Sequence, residues 1–203
     1  MGVTHMARLE MTPLMISTEQ MIALHGFFAE AAAVCEATLG EITGCETEVE
    51  VQEVRATALV DFGDRGLCLS DDMIAGVMGR LEGVMPGTAN LVLEPEEALL
   101  WARLGGGEDP LAMYVALGKT LLDGMATFLA EVLEGEVAFD GARLVEQSEL
   151  AMLVATHAPS DTVVFSTRMR IIARDENFDA VSHLLVEPKY LAQLLSALSA
   201  ASH

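Results

Sequence analysis

The side chains that could carry chemistry in this chain are sparse, and their spacing rules out most reaction types. His5, His25, His157, His183 and His203 are scattered, without the short intervals of a metal site. Cys35, Cys45 and Cys68 are odd in number, lack a CxxC pair and have no histidine close by. They predict neither a zinc site nor a disulfide framework. No Ser, Cys or His sits in a nucleophile motif. Gly105-Gly106-Gly107 lacks the Lys and Ser/Thr of a phosphate loop and reads as a linker. The expectation is a protein with no metal, no cofactor and no catalytic set of its own.

Two long helical stretches remain, each with a distinctive outer face. Placed at about 100° per residue, the first turns Met21, Leu24, Phe27, Phe28, Ala31, Val34, Cys35, Leu39 and Ile42 to one side. His25, Gly26, Ala29, Glu30, Ala33, Glu36, Ala37 and Glu41 lie on the other, small at the centre and acidic at the rim. The second turns Leu111, Tyr114, Leu117, Leu121, Leu122, Met125 and Leu129 inward, and Ala112, Ala116, Lys119, Thr120, Asp123, Ala126 and Thr127 outward. Small residues let another backbone approach closely, although alanine also serves simply as a good helix former on a solvated face. The candidate binding residues are His25, Ala29, Glu30 and Ala33 on the first helix, and Lys119, Thr120 and Asp123 on the second. The same faces would allow a homodimer. Most of the twelve methionines are expected as core filler, with an exposed one such as Met113 serving an adaptable interface.

The elements that position these faces are signalled locally. Ser17 with Gln20 forms a capping box for the first helix, and Asp109-Pro110 opens the second. Gly44 and Gly135 are the expected stops. Glu48-Val49-Glu50-Val51-Gln52 alternates as a strand with one wet face. Hairpin signals follow at Ala75 to Leu81 with Gly87 to Leu93, and at Thr162 to Ala173 with Ala180 to Val186 around Arg174-Asp175-Glu176-Asn177. Asp61 to Asp72 reads as a loop or a short connecting strand.

The chain also repeats itself. Leu91-Val92-Leu93-Glu94-Pro95 returns as Leu184-Leu185-Val186-Glu187-Pro188, and the helix-closing glycines recur at nearly the same interval. This predicts a duplicated unit of roughly 90 residues, so residues 1–203 form one domain of two repeats, about 17–104 and 109–200. The fold class is α+β, a pseudo-twofold arrangement of two long helices on a mainly antiparallel sheet.

Composition narrows the partners. The 203 residues carry 31 acidic and 11 basic side chains, a formal charge of −20. Such a surface disfavours nucleic acid and anionic lipid, and fits a protein partner or simple solubility. No signal-peptide pattern opens the chain, and Met21 to Leu39 contains His25, Glu30 and Glu36, which argues against membrane insertion. A cytoplasmic protein is expected.

With its two long helices, hairpins and paired Glu-Pro breaks, the sequence resembles the CheC/CheX/FliY family of chemotaxis proteins and the related FliM middle domain. Its length resembles CheC, a single chain of two pseudo-symmetric halves. The resemblance implies binding of a CheY-type response regulator or a flagellar-switch protein, and dephosphorylation of the regulator by a Glu-x-x-Asn pair on the exposed helix face. Counted back from the closing glycines, that pair falls on Gly26 and Ala29, and on Leu117 and Thr120; one residue earlier gives His25 with Phe28 and Ala116 with Lys119. None supplies Glu with Asn, and the chain's two asparagines, Asn90 and Asn177, have no acid three residues before them. Two readings stay open: a binding module without phosphatase activity, or a phosphatase with Glu30 or Asp123 as the acid and Thr120 or His25 orienting water.

Overall fold

In the computed structural model of this chain, residues 16–62, 75–146, 159 and 161–201 are described. Their elements are α1 (Thr18–Thr43), β1 (Thr47–Ala58), the single turn α2 (Leu59–Phe62), β2 (Ala75–Gly83), β3 (Gly87–Leu93), α3 (Pro95–Leu104), α4 (Pro110–Val132), β4 (Val137–Glu146), β5 (Val163–Ala173), β6 (Glu176–Val186) and α5 (Pro188–Ala201). The fold is α+β. Six strands form one sheet in the order β1-β5-β6-β3-β2-β4, with every neighbouring pair antiparallel. Of the stretch from Asp61 to Asp72, Asp61 and Phe62 belong to α2; the remainder, with Cys68, lies outside the described residues.

Local signals set most boundaries. The Ser17 hydroxyl accepts the Gln20 N–H at 3.2 Å while the Gln20 side chain accepts the Ser17 N–H at 2.9 Å. Asp109 accepts from the Leu111 and Ala112 amides at 3.0 and 3.1 Å, with Pro110 opening α4. Gly44 closes α1 in the left-handed conformation at φ 66°. The expected stop at Gly135 is displaced by one residue: α4 ends at Val132, and the left-handed residue beyond it is Glu134, at φ 49°. Gly135 is needed for space instead, because a Cβ there would meet Val84 at 2.7 Å. In the second hairpin, Arg174 and Asp175 alone make the turn, at φ 51° and 66°, the left-handed pair that a two-residue type I′ turn requires. Glu176 and Asn177, expected in the turn, already pair in β6.

The strand order reads the same from either edge when the chain is halved. β3 and β6 meet at the centre, each beside its own hairpin mate, and the strand that follows each long helix crosses over. β1 pairs with β5, and β4 pairs with β2. Both edge strands carry a register irregularity, at Gln52 in β1 and around Gly141-Ala142 in β4. At the centre, Asn90 faces His183 in register, and their side chains hydrogen-bond at 2.7 Å with both residues fully buried. They are 93 positions apart, the interval of the Leu91 and Leu184 repeat.

One sheet face is dry. α1 and α4 lie on it side by side, with the Phe27 and Phe128 rings 5.4 Å apart. Gly124 approaches so closely that a Cβ would stand 3.0 Å from the Ala31 carbonyl and 3.2 Å from the Cys35 Cβ. Positions rise along one helix as they fall along the other, so the two run antiparallel. α3 packs on α4 through Trp101 and Tyr114, and α5 packs on α1. α1 is long and apolar enough to cross a membrane by length and composition, but eight of its residues are buried within this domain. On the opposite sheet face, Phe62, Val92, Val145, Val164 and Leu185 form a second cluster, and the Phe62 ring stands 5.2 Å from His183. Elsewhere that face is wet, with Glu50, Arg170 and Asp179 in register across three strands.

Three residues depart from the expected helix faces. Val34 and Leu111 are 49% and 51% exposed rather than core, and Ala126 is buried rather than outward. Met113 is half-buried beside Gly105 instead of exposed.

Two glycine substitutions should separate packing from propensity. A Cβ on Gly118 would meet the buried Val77 side chain at 2.8 Å, so Gly118→Leu should overpack the helix–sheet contact and cost about 1–3 kcal/mol. A Cβ on Gly26 meets nothing within 4 Å, so Gly26→Ala should stabilise by about 0.4–1 kcal/mol. Urea midpoints at unchanged slope would measure both.

Candidate functional site

Because α1 and α4 share one side of the sheet, their remaining faces both look outward. On α1, His25, Gly26, Glu30, Ala33 and Ala37 are exposed, Ala29 is half-buried, and Ile22 is 68% exposed. On α4, Ala112, Ala116, Lys119 and Thr127 are exposed, Thr120 and Asp123 are half-buried, and Leu117 is fully buried. The candidate residues therefore fall on two neighbouring strips, with Leu117 excluded.

The displaced stop of α4 corrects the alignment of the two helices. Since Gly44 corresponds to Glu134, Gly26 and Ala29 correspond to Ala116 and Lys119, not to Leu117 and Thr120. Burial agrees with this alignment: Leu24 with Tyr114, Phe27 with Leu117, Phe28 with Gly118 and Leu39 with Leu129 are all buried. Ala33 then matches Asp123, and Ala37 matches Thr127.

The two strips differ chemically. On α4, Lys119 forms an ion pair with Asp123 one turn on, both side chains in part exposed to solvent. The Thr120 hydroxyl donates to the Ala116 carbonyl at 3.0 Å, and the Thr127 hydroxyl to the Asp123 carbonyl at 2.9 Å, so both are turned back onto the helix. On α1 the positions matching Lys119, Asp123 and Thr127 are Ala29, Ala33 and Ala37, while Thr120 matches Glu30. Its acidic residues are Glu19, Glu30, Glu36 and Glu41, and it has no Lys or Arg. Glu36 also accepts the Val49 N–H of edge strand β1 at 2.9 Å.

Reactive groups elsewhere are structural. Burial pushes the Cys35 thiol up to about 12, and its sulfur donates to the Ala32 carbonyl. Cys45 is half-buried, 3.3 Å from the Thr43 hydroxyl. His183 is a core residue, a role its sequence neighbourhood does not reveal; its interval from Asn90, equal to the repeat, was the available signal. Among the described residues no group of three or more His, Cys, Asp or Glu is placed to hold a metal ion. Asn90 and Asn177 lie on β3 and β6, so neither long helix offers an amide from asparagine.

No protein-family model matches the sequence, and no curated protein does. Solved structures do. FliY from Thermotoga maritima is similar at a TM-score of 0.69 and 14% identity, over 92% of this chain and 98% of that one. The FliM middle domain from H. pylori gives 0.62 and 15%, over 90% and 99%. A chain of the FliG–FliM complex from H. pylori gives 0.62 and 15%, over 89% and 100%. At such identities the likeness is one of fold.

The surface pair should matter little to folding. Lys119→Ala and Asp123→Ala should each change stability by less than about 1 kcal/mol, since exposed pairs are solvated and screened. A larger loss in urea titration would mean that the pair braces α4. Cys35 in the folded protein should resist iodoacetamide at about pH 8, because the thiolate is the reactive form. Peptide mapping after labelling would detect any modification there.

Proposed function

Given that the chain has the fold of the CheC/CheX/FliY family, we propose that it is a chemotaxis or flagellar-switch module without phosphatase activity. It engages a CheY-type response regulator or a flagellar-switch component through the outward side of the helix layer, where an outer helical face of α1, of α4 or of both is open to a partner. The observation that carries this reading is the absence of an acid–amide pair where the fold would present one. Gly26 with Ala29, and Ala116 with Lys119, occupy the matching positions, and neither asparagine of the chain lies on α1 or α4. Glycine and alanine have no side-chain atom to orient a water, and Lys119 is engaged by Asp123. The exposed small-residue strip on α1 favours contact with a partner instead. A charge of −20 suits a cytoplasmic protein partner better than nucleic acid.

Residues 17–104 and 109–200 are, in this proposal, two copies of one unit within a single domain. The supporting features are the strand order, the matched edge-strand irregularities, and Glu94-Pro95 and Glu187-Pro188. Each Glu-Pro closes a central strand and opens a helix.

On α4, hydrolysis by the substitute residues Thr120 and Asp123 draws no support from the side-chain arrangement. Thr120 spends its hydroxyl proton on the Ala116 carbonyl, and Asp123 is paired with Lys119. Phosphorylated CheY-type regulator mixed with this protein should therefore lose phosphate at its own spontaneous rate, while calorimetry detects binding of the regulator or of the switch component. Acceleration abolished by Thr120→Ala or Asp123→Ala would establish the enzyme instead.

A further inference from the structure

Resting on the binding reading above, we infer that only the α1 face docks, taking one partner molecule per chain, and that its occupant is a protein helix whose narrow apolar stripe is flanked by Lys or Arg. Ile22, Gly26, Ala29 and Ala33 are spaced four, three and four residues apart, which places them along one line of α1. Two large apolar side chains on this helix are left in water: Ile22 at 68% exposure and Val34 at 49%. Single exposed hydrophobics are ordinary, and Val34 lies about 120° round the helix, beyond the Glu30 row, but Ile22 heads a strip with no polar side chain at its centre.

The equivalent line on α4 is Ala112, Ala116, Lys119 and Asp123. Helices in contact lie about 8–10 Å apart, a distance that small residues permit and a long charged side chain obstructs. A helix settling on α4 would have to displace or desolvate the Lys119–Asp123 pair. One settling on α1 meets Ala29 and Ala33. Two positions that the fold makes equivalent are therefore chemically opposed, and a single occupied face follows.

The rim specifies the charge of the occupant. Glu19, Glu30 and Glu41 run along one side of the apolar line and Glu36 along the other, with no Lys or Arg anywhere on α1. The open groove at the C-terminal end of the helix continues this surface with Glu36, Glu41 and Glu46. It lies at the negative end of the helix dipole, and the last turn contains no basic residue to offset it. An acidic stripe would be repelled here, whereas Lys or Arg would be drawn in.

The test is calorimetric titration of the full chain with a CheY-type regulator and, separately, with a flagellar-switch component. The expected result is a stoichiometry of one, an affinity at least tenfold lower for Ala33→Arg or Ile22→Glu, and an affinity within twofold for Ala116→Arg. Binding should weaken between about 50 and 500 mM NaCl as screening shortens the reach of the glutamates. Urea midpoints would confirm that each variant is folded, and Ile22→Glu stands in should Ala33→Arg fail to fold. Two sites, or equal loss from Ala116→Arg, would overturn the single-face inference while leaving the binding function standing. Salt-insensitive binding would overturn the basic occupant. Binding untouched by every variant would remove the outer faces from the mechanism, and no binding of either probe would overturn the functional reading together with the inference.

Discussion

Everything in this domain hangs on the join between β3 and β6. Those two strands link one hairpin to the other, and without their pairing the sheet would be two separate pieces. At the join sits a buried hydrogen bond between Asn90 and His183 rather than two more aliphatic side chains. A buried polar pair adds little net stability, but leaving either partner unmatched is costly, so slipping the register by one residue is penalised. It would also turn the slipped strand's leucine, Leu91 or Leu184, away from the helices and present polar groups to the core. The pair thus acts as a register pin at the one place where a slip would displace both halves together.

The helix layer depends on a second constraint, the small side chains at its contacts. Gly124 against Ala31, and Gly118 against Val77, set how near α4 can come to α1 and to the sheet. With the helices seated this deeply, their inner faces fill the core and their outer faces are held in fixed relation. The proposed partner surface is consequently built on rigid secondary structure rather than on loops, and its chemistry is decided by a few outward residues that folding does not constrain. That freedom lets the two outer strips differ, one carrying alanines and the other an ion pair, on helices that pack alike.

How much of this was legible in the sequence follows from the range of the interactions. Ser17 with Gln20, Asp109 with Pro110, and the hairpins depend on residues a few positions apart, and they occur close to where their signals lie. The stop of α4 was not legible, because a left-handed glutamate has no signature while the glycine beside it has a strong one. Counting from that glycine gives Leu117 and Thr120, whereas burial aligns Gly26 and Ala29 with the other register considered, Ala116 and Lys119. Val34 lies at the border of the apolar arc, where a period of 3.6 cannot decide between core and water, and Leu111 lies in the first turn of its helix. The exchange of β1 and β4 between halves is long-range pairing, which local patterns do not encode. The apolar strip on α1 could be read directly, since it needs only helical spacing.

The crossed edge strands carry a further consequence. Because β1 completes the sheet beside β5 and β4 completes it beside β2, each half lends a strand that the other needs. Neither half contains its own full set of backbone partners, so the two should melt together as one cooperative unit despite their internal likeness. Much of the sheet forms between segments distant along the chain, a topology associated with slow folding. The same interlacing means that a cut in the Gly105-Gly106-Gly107 linker would sever the chain without severing the sheet. Two fragments released there would have reason to find each other again, and a single copy of one fragment would have an open place for the strand it lacks.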